Sequence, residues 1–165
     1  MARAATVAAG ELGRLLRADN GLPLSIGQVA ISAGITLPVL QDSQIFDRFL
    51  SPEIADKVGG TRYPAIYIFC ERITNSLKEK FRTFSGSADL SLEVRVSHDH
   101  VEQLQFNLQH YVDAVTDVLD RSRGAWTPGV YYTGGYEVTF QPVKKGGKNF
   151  LQTAKVNVRI QLSLD

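Results

Sequence analysis

The stretch Leu90-Ser91-Leu92-Glu93-Val94-Arg95-Val96-Ser97, followed by Val101, Leu104, Leu108, Tyr111, Val112, Val115, Val118 and Leu119, decides the fold of this chain. In its first part apolar residues recur at every second position, the pattern of a strand with one greasy and one polar face. Beyond Ser97 the period changes to i, i+3, i+4, i+7, which at about 100° per residue gathers the apolar side chains into a stripe roughly 120° wide. That stripe needs a surface to lie on, and a one-sided sheet provides it. Asp99 with Glu102 three residues later predicts a capping box at the helix start, and Gly124 predicts its stop. Residues 88–122 therefore predict a strand and a long helix at the centre of an α+β domain.

Working outward, Tyr63-Pro64-Ala65-Ile66-Tyr67-Ile68-Phe69-Cys70 is aromatic and β-branched without polar alternation, which predicts a strand covered on both faces with Pro64 at its start. Residues 71–87 turn polar and basic, with Arg72, Lys78, Lys80 and Arg82 against Glu79 and with Phe81 and Phe84 interleaved. A connection that long between two strands is expected to project from the body. After the helix, Gly124-Ala125-Trp126-Thr127-Pro128-Gly129 reads as a rigid corner. Residues 130–141 then alternate, with Tyr136, Val138 and Phe140 apolar and Gly134-Gly135 marking a bulge or a close backbone approach. Lys144-Lys145-Gly146-Gly147-Lys148 is a lysine-rich hairpin tip. The last strand sends Ala154, Val156, Val158, Ile160, Leu162 and Leu164 one way and Thr153, Lys155, Asn157, Arg159 and Gln161 the other.

At the N-terminal side, Ala8, Leu12, Leu15 and Leu16 share a face and predict a short helix over 6–18, stopped by Gly21. Residues 22–62 hold Pro23, Pro38, Pro52 and several glycines and show no clear period, so they are expected to form an arm or elaborated connection with short helical turns. The expected fold is a single α+β domain over 1–165. It has a mostly antiparallel four-stranded sheet, the long helix on one face, an N-terminal helix and an extended connection.

Composition narrows the function. With 165 residues, 44% hydrophobic and 21% charged, the chain can bury a sizeable core, and a net charge of +1 exerts no global pull toward nucleic acid or membrane. The lone Cys70 excludes an internal disulfide and fits a reducing compartment. The opening residues do not read as a signal peptide, and no apolar run reaches the ~18 residues of a membrane span.

Catalytic constellations are not legible. His98-Asp99-His100, with His110 on the helix, is the only local grouping that resembles metal ligation, but Asp99 is read as the helix cap and no Cys accompanies the histidines. Cys70, in the most apolar strand, reads as a buried small hydrophobe rather than a nucleophile. The glycine pairs match neither the dinucleotide nor the P-loop spacing. Residues 26–36 have the small residue, glycine and apolar-Thr pair of a helix-turn-helix, but Pro38 falls early in the second helix and few basic residues lie nearby. No enzyme, metal or cofactor is expected. Phe106 lies nearly opposite the Leu104-Leu108 stripe and is expected to be covered by the 22–62 arm or, failing that, by another subunit.

The order of elements resembles that of the tail terminator (tail-completion) proteins of long-tailed bacteriophages and related phage-like particles. That order is N-terminal helix, long connection, strand, projecting basic loop, strand, long helix, lysine-tipped hairpin and long final strand. The resemblance rests on residues 63–71, 88–122 and 130–163 and covers most of the chain. It implies a virion protein of the tail and neck, assembled in the host cytoplasm. Such a protein forms a homo-oligomeric, hexameric ring on the last ring of tail-tube protein, stops tube growth and presents a surface to the neck or connector protein. By residue type, Lys78, Lys80, Phe81, Arg82, Phe84 and Phe106 are candidate tube or subunit contacts. Lys144, Lys145 and Lys148 are candidates for facing the lumen and passing DNA. The acids Glu102, Asp113, Asp117 and Asp120 on the helix oppose the basic 72–82 stretch, which suits contacts between identical subunits in a head-to-tail ring. Two other readings stand beside it. One is a neck or head-completion adaptor or tail-tube-like subunit, and the other is a small cytoplasmic α+β enzyme or ligand-binding domain.

Overall fold

Two long antiparallel strands form the spine of the protein: β3 (Phe84–His98) and β7 (Asn149–Leu164), in register from Phe84↔Leu164 to His98↔Phe150. The computed structural model describes residues 1–48, 50–58 and 61–165. Both spine strands alternate, so their even-numbered residues from Ala88 to Val96 and from Ala154 to Leu162 share one buried face. β2 (Ala65–Asn75) flanks β3 and β5 (Val130–Phe140) flanks β7, giving the antiparallel order β2-β3-β7-β5. Those are the four strands read from the sequence.

The sheet is nonetheless larger and mixed. It has seven strands, because β1 (Ile45–Phe46) adds in parallel to β2, β4 (Gly124–Thr127) pairs with the start of β5, and β6 (Lys144–Gly146) pairs with the start of β7. The corner at 124–129 and the lysine tip thus carry strands of their own, closed by tight turns. At the tip Gly147 has φ +62°, a left-handed conformation that glycine adopts without strain. Gly134-Gly135 fall where the β5–β7 register shifts between Tyr132 and Tyr136, and Gly134 has φ +107°.

On the apolar face lie α1 (Ala4–Arg17) and α4 (Val101–Arg121), which contact β3 and β7. α1 buries Ala4, Ala8, Leu12 and Leu16, residues that recur every fourth position. α4 buries Leu104, Leu108, Tyr111, Val112, Ala114, Val115, Val118 and Leu119, the expected stripe with one alanine added, while Val101 is exposed. The start of α4 differs from the capping box: the N-cap is His100, with no side-chain cap bond, and Asp99 takes no part in it. His98 Nδ1 instead accepts from the His100 N–H at 2.9 Å. α4 ends at Arg121 with Ser122 as its C-cap, and Gly124 opens β4.

The segment expected as an arm contains a second full helix. α2 (Leu22–Ala33) starts with Pro23 in its first turn, where a missing N–H is tolerated, and ends at Gly34 in the left-handed conformation (φ +65°). It packs on α4 as an outer layer. Arg121 donates to the carbonyls of Asn20 and Gly21, Ser25 Oγ donates to Asp117 at 2.6 Å, and Tyr111 Oη donates to the Pro38 carbonyl at 2.7 Å. These contacts run α2 antiparallel to α4 and fold residues 35–38 back along it. The chain after Gly34 continues as loop, so the helix-turn-helix lacks its second helix. α3 (Pro52–Val58) follows β1, with Ala55 buried.

Candidate assembly interface

The face of the sheet away from the helices is built from charge. β3 places Asp89, Ser91, Glu93 and Arg95 opposite Arg159, Asn157, Lys155 and Thr153 of β7, so acids of one strand meet bases of the next. Asp89 is held between two arginines, Arg159 Nε at 2.6 Å and Arg72 Nη2 at 2.7 Å. The hydrogen bond from Arg159, reinforced by Arg72, holds its carboxyl below the usual carboxylate range. Lys155 pairs with Glu71. Sequence reading anticipated a polar second face but not this network, whose signal was the opposed charge order of two adjacent strands.

At one corner that face is covered. Arg95 is fully buried: Glu93 accepts from its Nε at 3.1 Å and its Nη2 at 2.6 Å, and its guanidinium lies 4.1 Å over the Tyr67 ring. Phe46 of β1 stacks on Tyr67 at 4.8 Å, and Arg48 lies 5.2 Å over Phe46. β1 thereby lays this aromatic over the ring of β2.

At the edges the sheet is bare. Beyond Tyr67 the outer side of β2 pairs with no strand over residues 71–75, and beyond Tyr132 the outer side of β5 pairs with none over 133–140, among the described residues. The helices cover these margins only in part: on the β5 side Tyr136 Oη donates to Asp120 of α4 at 3.5 Å and Val138 is partly buried. Tyr136 and Phe140 are in register with the core residues Val158 and Ala154, yet they are 39% and 47% exposed, and Ile73, opposite Ala88, is 46% exposed. Tyr136 and Phe140 thus lie on the apolar face, as their alternation indicates, without being buried.

The basic connection is a hairpin whose two strands run on to Asn75 and Phe84, leaving a loop of residues 76–83. Lys78, Lys80 and Phe81 are exposed there, Phe81 at 97%. Arg82 is engaged by Asp165 at 2.6 Å and by Glu79 at 3.6 Å, which pins the loop to the end of β7. Phe84 is corrected: it is 5% exposed and belongs to the hydrophobic core, because at its β3 position it points to the even-numbered, buried face. Phe106 is not covered by the 22–62 connection as expected. It is 60% exposed, since residues 35–41 turn along Tyr111 rather than over it.

Lys144, Lys145 and Lys148 are exposed, with Lys144 3.8 Å from Glu53. They stand at the start of β7 and the 76–83 loop at its end, so the two basic groups are separated by the length of a 16-residue strand, about 50 Å. Cys70 is half-buried against the core, and burial pushes its thiol upward. Among the described residues no group of three or more His, Cys, Asp and Glu is placed to hold a metal, and no helix is long and apolar enough to cross a membrane.

The sequence matches no protein-family model and no curated protein. Among solved structures, a chain of the virion of a native gene transfer agent particle is similar at 10% identity with a TM-score of 0.42, over 88% of this chain and 93% of that one.

Proposed function

We propose that this chain is a virion structural protein of the tail-terminator kind, a subunit of a hexameric ring that ends the tail tube and joins it to the neck. The observation that carries this reading is the pair of strand edges, β2 over 71–75 and β5 over 133–140, that pair with no strand among the described residues. An open strand edge with apolar residues beside it is an aggregation hazard in a monomer and a docking surface in an assembly. Here the two margins lie on opposite sides of one sheet, so the β2 margin of one copy can meet the β5 margin of the next. That contact is heterologous, and it closes into a ring when the rotation per subunit divides a full turn. In this reading Lys78, Lys80 and Phe81 meet a subunit or the tube. Lys144, Lys145 and Lys148, at the opposite end, face the passage, where positive charge favours passing DNA without reading its sequence. The chain has no catalytic role in this proposal.

The test is the mass of the purified protein by light scattering, with negative-stain imaging of each species. Closed six-membered rings that cap growing tail tubes at a defined length support the proposal. Open tubes of the chain itself transfer it to a tube subunit. A monomer that neither caps tubes nor joins tail particles, and that binds small molecules saturably, overturns it.

A further inference from the structure

The 76–83 loop is built to hold a shape. Asn75 Oδ1 accepts from the N–H groups of Leu77 and Ser85 at 3.2 and 3.1 Å, and Asn75 Nδ2 donates to the Thr83 carbonyl at 3.1 Å. Ser163 Oγ donates to Glu79 at 2.8 Å, and Arg82 bonds Asp165. Leu77 is held at φ +48°, a conformation an L-residue adopts at a cost. This bracing presents Leu77 and Phe81, 61% and 97% exposed, with Lys78 and Lys80 between them in the sequence. A preformed apolar knob has already lost the freedom that binding would otherwise remove.

The surface that matches it must be apolar with an acidic rim, which eliminates most of this molecule. The far end of the sheet is basic at Lys144, Lys145 and Lys148, and on the polar face Asp89, Glu71 and Glu93 are engaged by Arg72, Arg159, Lys155 and Arg95. The outer face of α4 fits. Phe106 lies about three turns before Asp117 on the same side of the helix, the side on which Asp117 touches α2 through Ser25. Residues 35–38 run back along α4 to Tyr111, and both Ile35 at 38% and Phe106 at 60% are left exposed. Glu102 and Asp113 flank Phe106 along α4, both exposed and without an ion pair among the described residues.

We infer that the 76–83 loop of one copy docks on the α2/α4 face of a second copy, with Phe81 against Phe106 and Lys78 and Lys80 facing Glu102 and Asp113. This rests on the reading that the chain assembles with copies of itself. Loop and receptor lie toward opposite ends of the molecule, so the contact joins unlike surfaces and propagates head to tail.

Disulfide trapping tests it, in a Cys70→Ser background. Mixing F81C and F106C chains is expected to give the mixed disulfide in excess of either homodimer, because the bond forms only where Cβ atoms approach to about 4 Å. Both positions are exposed, so the fold is spared. The double reversal K78E/K80E is expected to weaken self-association by about tenfold or more, and E102K/D113K in the same chain to restore it. A defined wild-type oligomer with no mixed disulfide and no charge rescue overturns the inference and leaves the ring intact. A wild type that never self-associates, alone or on tail tubes, overturns both.

Discussion

Arg95 is the largest side chain that the fold removes completely from water. A charge in that position is tolerated because Glu93 accepts two of its hydrogen bonds and Tyr67 offers a ring face. Removing the partner alone leaves the charge stranded. Glu93→Ala is expected to destabilise the protein by about 3 kcal/mol, and adding Arg95→Met to recover part of that loss; urea denaturation of the three chains checks it. Asp89 makes the acid dependence legible. Its folded pKa is depressed by Arg159 and Arg72, so the unfolded chain binds its proton more readily. The stabilisation is complete above the unfolded carboxylate value, about 4, and is lost as pH falls through the lower folded value. The melting temperature of Asp89→Asn is expected below that of wild type at neutral pH, with the difference closing below pH about 4.

At the scale of elements, α4 is held from both sides. Its stripe lies on the sheet while Asp117, Arg121 and Tyr111 fasten α2 and residues 35–38 to its outer side. Leu108 is fully buried at the middle of the stripe. Leu108→Ala is expected to cost about 2–5 kcal/mol by chemical denaturation, the range for a core leucine whose surroundings collapse only partly. The β2–β3 hairpin follows a different logic. At Gly86 an added Cβ would stand 1.8 Å from the Thr74 carbonyl oxygen, so the two strands approach more closely than any side chain permits. Gly86→Ala is expected to lower the melting temperature and to loosen the loop, seen as faster hydrogen exchange over residues 76–83.

For the whole molecule the dominant asymmetry is between a covered sheet centre and partly covered margins. Two helices and a third outer one bury the apolar face of β3 and β7, but on β5 beyond Tyr132 and β2 beyond Cys70 the apolar residues Tyr136, Phe140 and Ile73 remain 39%, 47% and 46% exposed. Ile73→Lys places a charge on the β2 margin, at a site 46% exposed. Its effect on monomer stability is expected to stay within about 0.5 kcal/mol, while self-association, followed by sedimentation, falls. A loss of stability instead would mean that Ile73 is packed within its own chain.

Local pattern by itself determined which segments become the long helix and the four main strands, which face of α4, β3, β5 and β7 is apolar, and, through the glycine pair, the position of the bulge at Gly134-Gly135. Those features depend on interactions between near neighbours in sequence, and they are written at fixed intervals. Only the tertiary structure decided the rest. The α2 helix is masked in the sequence by Pro23 and Gly27, and it forms because α4 offers Asp117 and Arg121 as partners from about a hundred residues away. β1, β4 and β6 are too short for a period and exist only by pairing with neighbours. Phe84 and Phe81 look alike in sequence, and the end of the loop puts one in the core and the other in water. Phe106 is exposed because the connection expected to cover it is drawn instead to the Tyr111 hydroxyl. In each case the deciding partner is remote in sequence, so local pattern carries no trace of it.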